Sequence, residues 1–187
     1  MNIYKKLLTS SLIPHPSSLL LVIAPRHFEK ADAIEANIRK YGFECVRRSR
    51  GEKGAFHCTT TASNYDCPPV YLADTTGELM GLYGIADVVF VGKSLCAHGA
   101  QNMIEPCLCG KPTLVGPYTE NFRPVMSDLL ASDAILQVKD AKELEETVRE
   151  CLEGSGGMEG LGARAKAAVE KRLGVVAKCV SGIRGAL

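Results

Sequence analysis

The sequence has no tryptophan, no long apolar run and no excess of either charge. It carries 22 Lys and Arg against 21 Asp and Glu, so a formal net charge of +1 gives no reason to expect nucleic-acid binding. No apolar stretch reaches the ~20 residues that a membrane-spanning helix needs. Pro14 and Pro16 interrupt the short apolar start, which argues against a signal peptide. We therefore expect a cytoplasmic protein, with Lys5 and Lys6 leaving open a weak contact with a membrane surface.

Cysteine is present, but not in a pattern that binds metal. No two of the eight cysteines form a CxxC pair. Cys107 and Cys109 lie two apart on a predicted helix, so their side chains point to different faces. Small buried thiols in a reducing compartment explain them better than zinc ligands or a disulfide framework. We therefore expect no metal site.

Strand-length apolar runs alternate with helical patterns along the chain. Residues 19–24 form a continuous apolar run, and residues 28–41 repeat apolar side chains at helical spacing. This alternation predicts an α/β fold, with a Rossmann-like, doubly wound parallel sheet in a single domain. That domain spans residues 19–187 and follows an N-terminal helix and linker over residues 1–18.

The same patterns give the predicted boundaries. Residues 48–69 are polar and irregular and form a surface excursion. The other predicted strands are residues 43–47, 70–73, 86–91, 113–115 and 134–138. The other predicted helices are a short one capped by Asp74 or Thr75 and ending near residue 83, then residues 102–109, 121–131, 141–152 and 161–183, the last interrupted near Gly174.

A ligand in such a sheet lies beyond the carboxyl ends of the strands. The loops at those ends contain most of the polar side chains that could bind it. These are Arg26, His27, Asp74, Thr75, Gly92, Lys93, Ser94, His98, Asn121 and Arg123.

The first candidate motif is Gly92-Lys93-Ser94, directly after a predicted buried strand. Backbone N–H groups in such a loop can approach a phosphate or carboxylate, and Lys93 adds a positive charge. The same residues also suit a tight turn between a strand and a helix. The sequence has no GxGxxG after the first strand and no Walker loop, so it carries neither nucleotide fingerprint.

The second candidate motif is Asn102 followed by Glu105 at the start of a predicted helix. Asn102 can cap the helix, and Glu105 can complement the helix dipole. Glu105 could equally accept both hydroxyls of a ribose, and the residues alone do not separate these alternatives. Arg26 and Arg123 suit a negatively charged sugar acid or phosphate, although lone arginines usually form surface ion pairs.

The histidines give no catalytic pattern. His27 and His98 fall in the predicted crevice, but neither has a carboxylate and nucleophile beside it in sequence, so we assign no catalytic residue. His98 better suits ligand positioning or loop capping. The sequence indicates a binding domain more clearly than a catalytic one.

Three segments together resemble the C-terminal half of 3-deoxy-D-manno-octulosonic acid (Kdo) transferases of lipopolysaccharide synthesis. Residues 86–123 resemble the family's segment in which Gly-Gly-Ser, Gly-Gly-His-Asn, Leu-Glu-Pro, Gly-Lys-Pro and Gly-Pro-x-x-x-Asn-Phe follow one another. Residues 21–30 (LVIAPRHFEK) resemble its Ala-Pro-Arg-His segment. Residues 72–87 (LADTTGELMGLYGIAD) resemble its Asp-Thr-x-Gly-Glu-Leu segment. The resemblance covers about residue 3 to the end.

The resemblance implies a GT-B glycosyltransferase that needs no metal or cofactor. It implies transfer of Kdo from CMP-Kdo to the lipid A precursor with inversion, at the cytoplasmic face of the inner membrane. Arg26 would then contact the donor's charged groups, and Gly92 and Ser94 would line the phosphate–sugar loop. Asn102 and Glu105 would hold the nucleotide, with Glu105 on the ribose.

The sequence departs from the family pattern at Lys93, where the family has glycine, and at Ala100-Gln101, where it has Gly-His. The resemblance also implies that an N-terminal half, with the acceptor site and the general base, lies outside this sequence. We therefore expect a donor-binding half that catalyses transfer poorly or not at all alone. It would be a truncated product, a remnant, or one subunit of a split enzyme or homodimer. The alternatives are another GT-B enzyme, such as a UDP-sugar transferase or epimerase, and a non-catalytic nucleotide-binding module.

Overall fold

The alternation of strands and helices is present in the computed structural model, which describes residues 1–8, 19–51, 70–155 and 158–184, with side chains to residue 172. The chain divides into two compact units, residues 1–79 and residues 80–187. Each unit contains one three-stranded parallel sheet. The predicted α/β class with parallel strands is therefore confirmed.

The first unit orders its sheet β1-β3-β2, and every pairing is parallel. Val22 pairs with Tyr71, and Cys45 pairs with Val70. All three residues of β3 are buried, as expected for a central strand. Its elements are α1 (Asn2–Leu8), β1 (Val22–Ile23), α2 (Ala31–Lys40), β2 (Cys45–Arg47) and β3 (Val70–Leu72), with short 3-10 turns at Phe28–Lys30 and Arg48–Arg50.

The helix α3 (Leu79–Ile85) follows the first unit's sheet. The second unit then orders its sheet β4-β5-β6, with β5 central and fully buried. Val89 pairs with Thr113, and Leu114 pairs with Leu136, both in parallel. Its elements are β4 (Val89–Val91), α4 (Ile104–Leu108), β5 (Thr113–Val115), α5 (Arg123–Ala131), β6 (Leu136–Gln137), α6 (Ala141–Glu153) and α7 (Leu161–Arg184).

The N-terminal helix packs on the first unit's core. Tyr4 and Leu7 are buried, and the Tyr4 hydroxyl donates to Leu19 O at 2.8 Å. The Tyr4 ring also lies 5.3 Å from the Phe43 ring. Within residues 1–8, the buried side chains of Tyr4 and Leu7 therefore face the protein interior. The remainder of the predicted N-terminal segment, residues 9–18, lies outside the described residues.

A network of arginines and carboxylates joins α2 to the ends of β2 and β3. Arg47 Nε donates to Asp74 at 2.7 Å, and Arg47 also pairs with Asp32 and Glu35. Glu35 pairs in addition with Arg50 at 2.9 Å. Because these side chains are held by charged hydrogen bonds, the network fixes the carboxyl edge of the first sheet.

The second unit closes its core with α7, which packs on α4. A Cβ on Gly162 would lie 1.9 Å from Gly110 O, so only glycine permits this approach of the two segments. The helix α7 continues without a break past Gly174, so the predicted interruption is wrong. An interior glycine costs only about 1 kcal/mol of helix propensity, which the surrounding helix-forming residues outweigh.

The cysteine prediction is partly wrong. Cys45 and Cys107 are buried, as expected, but Cys96 is exposed. Burial raises the pKa of the Cys107 thiol to about 11, so this thiol stays protonated at neutral pH. Within the described ranges, no group of His, Cys, Asp and Glu side chains could hold a metal ion. In the same ranges, no helix is long and apolar enough to cross a membrane.

Candidate functional site

The loop after β4 turns sharply at Lys93, whose backbone is left-handed with φ of 70°. Lys93 O accepts two backbone hydrogen bonds, from Cys96 N at 3.2 Å and Ala97 N at 3.0 Å. Few residues other than glycine, asparagine and aspartate adopt this conformation, which costs roughly 1 kcal/mol or more. The surrounding turn therefore holds Lys93 in a conformation that its own side chain disfavours.

Ser94 is completely buried and joins the loops after β4 and β5. Its hydroxyl donates to Val91 O at 2.7 Å and accepts from Gly116 N at 2.8 Å. Tyr118 N donates to Ser94 O at 3.0 Å. The Ser94 side chain thus shapes the loop from within, and any ligand contact by this residue would have to come from its backbone or from a change of conformation.

The two loops meet so closely that Gly116 has no room for a side chain. A Cβ at this position would lie 2.3 Å from Ser94 O and 2.5 Å from Leu95 Cα. Both are backbone atoms, which cannot move aside as a flexible side-chain end can. Gly116 therefore sets the distance between the loops that follow β4 and β5.

Two neighbouring residues, Glu120 and Asn121, hold the far end of the β4–α4 loop. Glu120 Oε1 lies 2.6 Å from His98 Nδ1, and its Oε2 accepts from Gly99 N at 3.2 Å. The Asn121 amide makes a reciprocal pair with Ala100, accepting from Ala100 N at 2.9 Å and donating to Ala100 O at 3.0 Å. We call Glu120 and Asn121 the loop clamp.

The loop clamp gives His98 a fixed position although its side chain is exposed. The His98 ring centroid lies 4.6 Å from that of Tyr118, in a tilted contact. The pKa of Glu120 falls to about 2, because its own backbone N–H, then His98, then Gly99 N donate to the carboxylate. Glu120 is therefore ionised at neutral pH and holds the imidazole through a charged hydrogen bond.

Asn102 and Glu105 form a connected pair at the start of α4. Asn102 Oδ1 accepts from Ile104 N at 3.0 Å, which satisfies one free donor of the helix end. Asn102 Nδ2 donates to Glu105 Oε1 at 2.9 Å, so the cap also orients the carboxylate. Burial first, and then the nearby Glu105 and Cys109, raise the pKa of Tyr83 to about 12. Glu105 is half-buried, so its carboxylate can still accept hydrogen bonds from a ligand.

Four of the candidate residues lie in the first unit. The sequence offered Asp74 or Thr75 as the cap of the helix that became α3, but the buried carboxylate of Asp74 accepts from Arg47 Nε, Ser49 N and Ser49 Oγ. Thr75 donates its hydroxyl to Glu78. Arg26 and His27 are exposed after β1, with His27 Nδ1 4.0 Å from a Glu29 oxygen.

The second unit brings together Lys93, His98 and Asn121 on adjoining loops, and places Asn102 and Glu105 at the end of the same β4–α4 connection. Gly92 directly follows β4 and has no atom within 4 Å of the position of a Cβ. Arg123 is exposed at the first residue of α5.

The sequence analysis missed Glu120, Tyr118 and Tyr83. Glu120 contacts residues 21 and 22 positions earlier, so no local spacing indicates its role. The only sequence signal is its position directly before Asn121 in a loop at a strand end. Neighbouring parallel strands place such loops side by side, but the pairing of β4 with β5 has to be known first.

The chain is similar to known transferases over most of its length. It is 33% identical over 81% of its residues to the 3-deoxy-D-manno-octulosonic acid transferase of Haemophilus influenzae. It is 38% identical over 68% of its residues to the enzyme of the same name from Bordetella pertussis. The matched parts are 34% and 27% of those two proteins, so the chain spans about a third of the length of these relatives. No protein-family model matches the sequence.

A solved structure gives the same result at the level of the fold. The C-terminal CMP-Kdo binding domain of WaaA from Acinetobacter baumannii matches 90% of this chain with a TM-score of 0.73. The two are 29% identical, and the match covers 80% of that domain. The resemblance seen in the three sequence segments is therefore confirmed, and the chain is a relative of the C-terminal domain of the 3-deoxy-D-manno-octulosonic acid transferases.

Proposed function

We propose that this chain binds CMP-Kdo and acts as the donor-binding half of a Kdo transferase. The main support is the arrangement at the carboxyl edge of the second sheet. There a clamped loop after β4 leads directly into the oriented pair of Asn102 and Glu105. The similarity to a CMP-Kdo binding domain, which extends over 90% of the chain, agrees with this reading.

The proposed pose follows from the chemistry of the donor. The Glu105 carboxylate would accept the ribose hydroxyls, with Asn102 holding it in place. The phosphate and the sugar would lie along residues 92–100, where the left-handed turn at Lys93 would let backbone N–H groups approach them. For Arg26, the resemblance to the family supports a contact with a charged group of the donor. His27, Arg123 and the loop of Asp74 and Thr75 remain secondary candidates, the last two acting through the shape of their loop.

Transfer itself would require more than donor binding. The bond from the anomeric carbon of Kdo to the phosphate oxygen breaks, CMP leaves, and an acceptor hydroxyl loses a proton as it attacks. A general base typically contributes ~10²–10⁴-fold to such a step. We propose that this base and the site for a lipid A precursor come from an N-terminal half, a partner subunit or a second copy, at the cytoplasmic face of the inner membrane.

Calorimetry with cytidine ligands tests the proposal. We expect CMP-Kdo and CMP to bind this chain, while UDP-sugars do not. We expect no transfer to a lipid A precursor from these 187 residues alone, and transfer once the N-terminal part of a relative's transferase is added. The absence of binding by any cytidine ligand would contradict the proposal. Selective binding of a UDP-sugar would point to a different GT-B enzyme.

A further inference from the structure

Lys93 combines an unfavourable, left-handed backbone conformation with a side chain whose ammonium group lies close to Gly99. It is one of two non-glycine residues with positive φ in the described ranges, and the other is Asp133 at 45°. Aspartate tolerates this region better than lysine, because its short side chain can hydrogen-bond locally. A long, unbranched side chain gains nothing of the kind from the left-handed conformation.

The ammonium group of Lys93 lies over the clamped loop. A Cβ on Gly99 would be 3.6 Å from Lys93 Nζ and 3.7 Å from Asn121 Oδ1. Gly99, with φ of 76°, therefore leaves open the space beside the ammonium. The loop clamp fixes this surface, because Glu120 binds Gly99 N and Asn121 binds both backbone groups of Ala100.

Lys93 is also available for a ligand. Its side chain is exposed, and it makes no ion pair with any carboxylate among the described residues. Glu120 is the nearby acid of the loop, and its two oxygens already accept from His98 and Gly99 N. The ammonium thus lies at the carboxyl edge of β4 and β5, where ligands of parallel sheets bind, without an internal counter-ion.

We propose that Lys93 is a direct contact for an anionic group of the ligand and that its backbone strain is retained for this contact. The proposal rests on the proposed function and refines it. Two anions of a Kdo nucleotide have the required charge, the phosphate and the carboxylate of the sugar acid. A lysine ammonium binds either group as a point charge, so the charge alone does not separate them.

The test measures binding and stability of Lys93→Gly and Lys93→Gln. Both changes remove the charge, and only the glycine relieves the backbone. Since a charge-assisted hydrogen bond is lost, we expect both variants to bind CMP-Kdo about tenfold more weakly than wild type does. The midpoint of thermal unfolding of Lys93→Gly should not fall, because relief of the left-handed strain offsets the greater freedom of glycine in the unfolded chain.

The choice of ligand identifies the anion. Cytidine carries neither anion, CMP carries the phosphate alone, and CMP-Kdo carries both the phosphate and the carboxylate. A loss of affinity that begins with CMP assigns the phosphate, whereas a loss seen only with CMP-Kdo assigns the carboxylate. Wild-type affinity should fall more steeply with salt than that of Lys93→Gln, because an exposed charge is screened.

Two control variants show whether loss of a lysine charge or relief of a positive φ elsewhere in the chain changes the affinity. Asp133→Gly relieves the other positive φ, and Lys142→Gln removes an exposed lysine of α6. Neither should change the affinity. Equal or tighter binding by Lys93→Gly would overturn the inference, since the side chain would then be an obstruction.

Inorganic pyrophosphate separates this inference from the proposed function. We expect it to shift the amide resonances of residues 92–100 in wild type and not in Lys93→Gln. That response without any CMP or CMP-Kdo binding would keep the anion contact and reject the cytidine donor. No response to pyrophosphate, CMP or CMP-Kdo would overturn both.

Discussion

At the scale of single residues, Glu105 is the side chain whose role is most sharply testable. The sequence left two alternatives, a complement to the helix dipole and a ribose acceptor. The structure adds that the Asn102 side chain accepts from Ile104 N, the first residue of α4, and also orients the Glu105 carboxylate. The first backbone N–H of α4 therefore has its partner in Asn102, and the oriented Glu105 carboxylate is the group that a binding experiment should address.

We predict that Glu105→Gln and Glu105→Ala weaken CMP binding by more than about tenfold, or ~1.4 kcal/mol. A carboxylate can accept two ribose hydroxyls, whereas an amide offers one acceptor oxygen. Calorimetry with CMP and with its 2′,3′-dideoxy analogue measures the coupling between the Glu105 carboxylate and the ribose hydroxyls. The analogue should bind wild type as weakly as CMP binds the variants. The affinity of the variants for the analogue should be little lower than their affinity for CMP.

The control for Glu105 is Glu146→Gln, which changes an exposed carboxylate of α6 that pairs only with Lys142 in the described structure. This variant should bind CMP as wild type does. If Glu105→Ala also keeps its affinity while its unfolding midpoint is unchanged, the ribose role is wrong and Glu105 is a helix-end residue.

At the scale of elements, the loops after β4 and β5 behave as one structure. Ser94 accepts from Gly116 N, and the loop clamp joins residues 98–100 to residues 120–121. The glycine at 116 permits this approach. A change there should therefore disturb both loops at once.

We predict that Gly116→Ala destabilises the second unit by roughly 1–3 kcal/mol, because its methyl group would overlap Ser94 O and Leu95 Cα. CMP binding should weaken as well, since the loop after β4 must move. Urea unfolding followed by circular dichroism measures the first effect, and calorimetry measures the second.

Gly81→Ala is the matched control, because no atom lies within 4 Å of a Cβ at this position in α3. Replacing a helical glycine by alanine should stabilise by about 0.5–1 kcal/mol. If Gly116→Ala is as stable as wild type, the two loops are less tightly joined than their geometry indicates.

The sequence predicted the elements better than their contacts. Local periodicity was enough to find α2, α6 and the strands, because each depends on neighbours in the chain. Asp74 shows the limit, since its capping pattern is local but its partner Arg47 lies 27 residues earlier on the adjacent strand. The buried ion pair of Asp74 with Arg47 is stronger than a hydrogen bond at a helix end. Only the order of the strands in the sheet shows that these two residues meet.

The candidate site divides in the same way. The sequence singled out Lys93, His98 and Asn102 because they follow one strand and precede one helix, and Glu105 because it lies in the first turn of that helix. Glu120 was missed because its contacts cross between β4 and β5. The predicted interruption of α7 near Gly174 was wrong, because a helix-propensity cost of about 1 kcal/mol does not end a long packed helix.

At the scale of the whole molecule, acid should weaken the charge network of the first unit. Burial raises the pKa of Asp74, but hydrogen bonds from Ser49 and Arg47 outweigh it and lower the pKa from 3.8 to about 2. Hydrogen bonds from Arg50, opposed by burial, and then from Arg39 and Arg47 lower the pKa of Glu35 to about 2 as well. Both carboxylates thus favour folding when ionised.

The sign of the pH dependence follows from these shifts. A carboxyl group with a depressed folded pKa contributes stability above its unfolded pKa, near 4, and loses it as the pH falls towards 2. The Asp74 side chain is only 1% exposed, so its share is about 2 kcal/mol with little screening by solvent. We therefore predict that the first unit loses stability between about pH 4 and pH 2.

Ser49→Ala tests this prediction without leaving Arg47 unpaired. It removes one hydrogen bond to Asp74, so the pKa of Asp74 should rise and the acid transition should move to higher pH. Carboxyl-carbon NMR follows the titration of Asp74, and urea unfolding at pH 2 to 6 follows stability. Ser155→Ala, which removes an exposed hydroxyl with only long contacts at 3.4 Å, should change neither. If Ser49→Ala leaves both the titration and the acid transition where wild type has them, Asp74 does not control the acid response, and the network's other carboxylates must be tested in turn.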